Sequence, residues 1–201
     1  MTPAAAARLP AAERRHAIVE AALAVFSAHS YTRSTTAEIA RAAGVSEPVL
    51  YRHFPSKRDL YLACLDESWT LLRTVVETTV AATDDPREWP LAIADAVDAL
   101  RARKCLPSHL WIQALSEAGG DPEIRRHMRS HMREVHDYFR DLLARAQEAG
   151  GVAPDRDADA EAWIVVAIGL LRAVEDTLGG VLPPDQFAAI ATARRRWLTA
   201  E

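Results

Sequence analysis

Apolar residues recur at intervals of three and four along most of the chain, and polar/apolar alternation is nowhere sustained. Ile18, Ala22, Val25 and Phe26 share one helical face, as do Ile39, Ala40 and Ala43. Leu50 and Phe54 are four apart and point the same way. A longer stripe runs through Ile124, Met128, His131, Val135, Tyr138 and Leu142, with His127 at its edge. From Trp163 to Leu171 the run WIVVAIGLL is apolar all round, as in a helix buried on most sides. Phe187, Ile190, Trp197 and Leu198 form a last stripe, flanked by Arg194, Arg195 and Arg196. These patterns predict an all-α chain of about nine helices, over 11–29, 36–43, 47–53, 57–82, 87–104, 108–117, 122–149, 156–179 and 184–199.

Turn and cap residues punctuate those helices. Thr35-Thr36-Ala37-Glu38 and Ser56-Lys57-Arg58-Asp59 read as capping boxes, and Asp121 precedes a proline at the first helical position. Gly44 stands where a helix ends with positive φ, and Ser46 is placed to N-cap the helix that follows. Two short helices joined by this tight turn, the second polar on its outer face, predict a helix-turn-helix. Its second helix presents Glu47, Pro48, Val49, Tyr51 and Arg52 outward, and such a helix lies in the DNA major groove.

Composition narrows the classes. The 201 residues are 49% hydrophobic and 26% charged, ordinary for a soluble domain. Two cysteines, Cys64 and Cys105, form neither a disulfide framework nor a CxxC pair, and the N-terminus lacks a signal-peptide core. The longest apolar run is too short to span a bilayer, so a cytoplasmic protein with no membrane partner is expected. The net charge of −4 argues against nucleic acid until it is divided. Residues 1–60 carry eight basic and five acidic groups, whereas the remainder carries sixteen and twenty-three. A basic head on an acidic body points to two modules with different partners.

The stretch TTAEIARAAGVSEPVLYRHFPSKRDLYLA, Thr35 to Ala63, resembles the signature of the TetR/AcrR family of transcriptional regulators. The pattern T-x-x-x-I-A-x-x-A-G-V-S-x-x-x-L-Y-x-H-F-x-x-K-x-x-L is met at each stated position. The resemblance implies a flexible arm over 1–10 and a DNA-binding domain over 11–56. An effector-binding and dimerisation domain follows over 57–201. It also implies phosphate contacts from Thr35 or Thr36, Tyr51, His53 and Lys57, with Arg8, Arg14 and Arg15 as a weaker arm. Base reading then falls to the helix opening at Ser46: Glu47 toward a cytosine amino group, Val49 toward a thymine methyl, Arg52 toward a guanine edge or a phosphate, with Pro48 shaping the surface. Glu47-Pro48 departs from the small pairs common in the family and puts a negative charge beside DNA.

In the body, Trp111, Met128, His131, Met132 and Tyr138 are candidate effector-pocket walls. Trp163, Val166, Leu170, Phe187, Ile190 and Trp197 are the candidate dimer face, since the family pairs its last two long helices with a partner's. His127 and His131 have zinc-like spacing with only Cys105 and His109 as distant third ligands, and no metal or other cofactor is assigned. No Gly-x-Ser-x-Gly, His-Glu-x-x-His or phosphate loop occurs, so no enzyme is expected. The resulting reading is a homodimeric repressor released from a palindromic double-stranded DNA operator by a small-molecule effector. The alternatives are a DNA-bound regulator controlled by a protein partner and, more remotely, a metal-dependent enzyme built on His127 and His131.

Overall fold

The computed structural model describes residues 10–103, 109–183 and 185–200. Arg8 with the first nine positions of the expected arm, and Cys105, lie outside the described residues. Among the described residues there are nine α-helices and no strand. They are α1 (Ala11–Ala28), α2 (Thr36–Ala42), α3 (Glu47–His53), α4 (Lys57–Ala81), α5 (Trp89–Ala102), α6 (His109–Glu117), α7 (Pro122–Glu148), α8 (Ala158–Leu178) and α9 (Gln186–Thr199). One turn of 3₁₀ helix, Pro86–Glu88, leads into α5. The chain divides into two compact units between Glu67 and Ser68, within α4, later than the boundary at 56 expected from the sequence.

In the first unit, α1 packs on α2 and α2 on α3. Ile18, Val19, Ala22 and Phe26 of α1 are buried with Ile39, Ala40, Leu50 and Phe54. Each large apolar side chain buried in this way contributes about 1.5–3 kcal/mol relative to exposure. Phe26, Tyr31 and Tyr61 form a ring cluster, with Phe26 edge-on to Tyr61 at 5.1 Å. Gly44 closes α2 at φ 66°, in the region where a side chain is strained. Its N–H donates to the Arg41 carbonyl and that of Val45 to the Ala40 carbonyl, the paired bonds of a Schellman turn. This turn sets the entry of α3.

In the second unit, α8 packs on α7 and α6, and α5 packs on α9. Trp69, Val76, Val135, Phe139, Leu142, Ala162, Val166 and Leu198 share one core. Asp121 and Asp157 cap α7 and α8 through their carboxylates, Asp121 where the sequence predicts a cap and Asp157 one residue inside the helix expected from 156. A second Schellman turn ends α7, where Gly150 takes φ 76° and the Gly151 N–H reaches the Ala146 carbonyl at 2.8 Å. The Glu175 carboxylate accepts from the N–H groups of Gly180, Val181 and Leu182, which holds the link from α8 toward α9. No helix of the described residues is long and apolar enough to cross a membrane.

Candidate nucleic-acid interface and ligand cavity

The interface grows from the α2 cap. The Thr35 hydroxyl accepts from the Glu38 N–H at 3.2 Å and donates to the Glu38 carboxylate at 2.9 Å. The Thr35 N–H also donates to that carboxylate, at 3.0 Å. The backbone bond first, and the hydroxyl second, hold the Glu38 carboxyl below the ordinary carboxylate range. Thr35 is therefore engaged within its own capping box, and Thr36 is the threonine turned toward the neighbouring helix. The Thr36 hydroxyl donates to Glu47 Oε1 at 2.7 Å and lies 3.0 Å from the Tyr51 hydroxyl. Glu47, expected to accept from a cytosine, already accepts from Thr36. The three groups bridge the start of α2 to the outer side of α3, with Glu47 and Tyr51 exposed and Thr36 half-buried.

Ser46 occupies the N-cap of α3 with extended backbone, and its carbonyl accepts from the N–H groups of Val49 and Leu50. Its hydroxyl makes no capping bond, contrary to the sequence expectation. Pro48 and Arg52 are exposed, Val49 and His53 half-buried. Arg14, Gly44, Val45, Ser46, Val49 and Arg52 border a shallow notch beside the reading helix. Leu50 and Phe54 are buried beneath it, so the face offered outward is the one the spacing predicts.

Two basic residues do something other than expected. Lys57, assigned to phosphate, donates through Nζ to the Tyr31 carbonyl at 2.8 Å and the Ser34 carbonyl at 3.0 Å. The same ammonium sits 4.5 Å from the Tyr31 ring centroid. It ties the loop before α2 to the start of α4, two segments more than twenty residues apart. No local spacing signals such a contact. Arg15, expected in an N-terminal arm, lies over the Phe54 ring at 4.7 Å.

The second unit holds a half-open cavity of about 280 Å³. Trp69 and Val76 of α4, Trp89 and Ile93 of α5, Trp111 of α6 and Val135 and Phe139 of α7 contribute to its wall. Of the expected pocket residues only Trp111 lines it. His131 is buried between the rings of Trp111 at 4.7 Å and Trp69 at 6.3 Å, and Tyr138 meets Trp69 edge-on at 5.3 Å. Met132 packs on the core, and Met128 is buried without reaching the cavity. Along α7, His131 packs on Trp111 of α6, whereas Val135, Phe139, Leu142, Leu143 and Ala146 line the cavity. His127 and His131 hold their rings nearly parallel, 6.0 Å apart. Burial lowers the His109 pKa, which favours its neutral form.

The expected dimer face also divides. Val166, Leu170, Phe187 and Ile190 line the cavity wall, whereas Trp163 and Trp197 are 44% and 51% exposed. Trp163 stacks on His136 at 4.2 Å, and the Trp197 indole N–H donates to Glu161 at 2.7 Å. Missed altogether were the three guanidiniums at the cavity wall. Arg172 makes a bidentate pair with Asp98 and lies 4.2 Å from the Phe187 ring centroid. Arg101 pairs with Asp176 and Arg194 with Glu161. Arg172 closing the apolar run of α8 is a visible sign of a buried charge, but its acid lies 74 residues away.

Known proteins match this arrangement in both units. The family model "Bacterial regulatory proteins, tetR family" matches residues 18–64. The model "BetI-type transcriptional repressor, C-terminal" matches residues 86–195, more than half of the chain. The chain is 43% identical over 89 residues to the transcriptional activator FasR of Mycolicibacterium smegmatis, across 44% of this chain and 41% of that protein. It is 34% identical over 115 residues to the regulator BetI of Rhizobium meliloti, across 56% of each. It thus spans about half the length of these curated relatives. A candidate transcriptional regulator from Saccharomonospora viridis, solved with choline, superposes with a TM-score of 0.70 at 22% identity, covering 90% of this chain and 95% of its own. That likeness establishes the fold. With a matched reading head and a matched body, the chain belongs to the TetR family of transcriptional regulators.

Proposed function

We propose that the protein is a homodimeric transcriptional repressor that leaves a palindromic DNA operator when a small molecule occupies the cavity of its second unit. The observation that carries this reading is the pairing of two devices in one chain. The first unit presents α3 outward, and the second holds a half-open apolar cavity of about 280 Å³. A cavity of that kind supports a small-molecule effector over a protein partner. Repression is favoured by the BetI-type repressor model across the body, whereas FasR is an activator.

In this mechanism Arg52 and Val49 contact bases, and Tyr51, Thr36 and His53 contact the backbone. Glu47 acts through Thr36 and Tyr51 and bears its charge toward DNA. Two heads held by a two-fold axis match half-sites about 34 Å apart. The apolar residues exposed on α8 and α9, Trp163, Ile164 and Trp197 among them, supply the dimer face. The effector acts by binding one dimer arrangement more tightly than the other, and the difference in those affinities sets the release. The working compartment is the cytoplasm, and the protein itself catalyses no reaction.

The deciding experiment is selection of bound duplexes from a random DNA pool, followed by a salt titration on the selected sequence. The expected result is an inverted repeat whose affinity falls steeply with salt. Enrichment of a single, unrepeated half-site would remove the dimeric reading. Transcription from a promoter carrying the selected site, measured with and without the protein, then separates repression from activation.

A further inference from the structure

Charge at the cavity wall bears on what the effector is. The wall is apolar except for Ser68, Arg101, Arg172 and Arg194. No aspartate or glutamate belongs to it. Each guanidinium is already matched by one carboxylate behind the wall: Asp176, Asp98 and Glu161 respectively. Arg172 and Glu161 are themselves buried.

We infer that the effector is an uncharged, largely apolar molecule of small size, and that the cavity discriminates against organic cations and anions alike. This rests on the cavity being the effector site, as proposed above. A cation entering the cavity would meet three guanidiniums, each already paired, and no free carboxylate, so attraction to the ring faces is the only compensation left for its lost hydration. A carboxylate would have to share an arginine with the acid already on it, adding a further negative charge beside Asp98, Asp176 or Glu161 within an apolar wall. An uncharged molecule disturbs none of the three pairs and gains the burial of its apolar surface. The volume sets the size. At about 280 Å³ the cavity stands at the lower end of small-molecule pockets, which run from about 300 to 1,000 Å³. Trp69, Trp89, Trp111 and Phe139 offer ring surfaces to such a molecule. The class departs from the choline carried by the Saccharomonospora viridis neighbour, a quaternary cation.

Three probes of matched ring and different charge test this on the full chain: 3-phenylpropan-1-ol, 3-phenylpropanoate and benzyltrimethylammonium. Binding is read by tryptophan emission, since three tryptophans line the cavity, and by the shift of the melting temperature. Each probe is also titrated against Gly169→Leu. Gly169 lines the cavity, and a Cβ there meets nothing within 4 Å, so the new side chain fills space the ligand needs. Ala191→Leu, on α9 at the same wall, replaces it if circular dichroism shows Gly169→Leu unfolded. The expected result is binding of the alcohol, its loss in the blocking variant, and charged probes weaker by about tenfold or more. A carboxylate or ammonium that binds as tightly as the alcohol, and is lost in the blocking variant, overturns the uncharged class and leaves the cavity as the site. Failure of all three probes, or binding indifferent to the blocking variant, overturns the cavity as the effector site itself.

Discussion

At the scale of single residues, two charges expected at DNA, Lys57 and Glu47, are both engaged within the protein. Lys57 has the charge and place of a phosphate contact, yet two of its donors are taken by loop carbonyls. Lys57→Met keeps the stem and removes the donors that the Tyr31 and Ser34 carbonyls accept from. We expect a loss of about 1–3 kcal/mol in stability, read as a lower melting temperature of the first unit. The slope of log affinity against log salt should stay unchanged, whereas loss of a phosphate contact lowers it by about 1. A lowered slope with unchanged melting would restore Lys57 to the DNA. Glu47 tests the opposite sign. Glu47→Gln keeps an acceptor for Thr36 and removes a negative charge from the DNA face, so affinity for unrelated duplexes should rise and the preference for the selected operator should narrow. Binding assays against both duplexes at one salt concentration read this directly.

At the scale of elements, the helices were legible because caps and periodicity agree. Thr35 with Glu38, Gly44, Asp121 and the apolar stripes each have a local cause, and the structure places helices there. At Ser46 the cap position was legible and its bonding was not, because the carbonyl accepts from α3 while the hydroxyl makes no capping bond. Close approaches between elements were not legible either, and Gly151 is the clearest case. A Cβ built there would stand 2.4 Å from Pro86 Cβ and 2.6 Å from the Pro86 carbonyl carbon. The turn after α7 thus passes against the 3₁₀ turn before α5 with room only for hydrogen. Gly151→Ala should force backbone apart and cost about 1–3 kcal/mol, by analogy with overpacked cores. Gly169→Ala, on α8 with open space around its Cβ, is the matched control and should stabilise the helix by up to about 1 kcal/mol. Urea denaturation of the two variants compares them on one scale, and equal stability would show that the Pro86 turn yields.

At the scale of the whole molecule, the reading head could be foreseen and the cavity could not. Thr35 to Leu60 carry a contiguous motif, whereas the cavity wall draws on six helices separated along the chain. One apolar stripe on a helix says that a face is covered, and leaves open whether core, ligand or partner covers it. That is why Val166, Leu170, Phe187 and Ile190, expected against a partner chain, stand at the cavity wall, and Met128 and His131, expected at a ligand, are packed in the core. Left exposed on α8, α9 and the link between them are Trp163, Ile164, Leu178 at 69% exposure, Val181 and Trp197. Ile164 belongs to α8 and not to the cavity wall, so its replacement tests the proposed dimer apart from the proposed effector site. Ile164→Glu puts a charge on a position that is exposed in the single chain and desolvated in a dimer, twice over by symmetry. Sedimentation should then show a monomer with unchanged helix content at concentrations where the parent chain is a dimer. Operator affinity should fall with it, because two independent heads lose the effective concentration that one rigid pair provides. A variant that stays dimeric would move the interface off α8 and leave these exposed side chains without an assigned role.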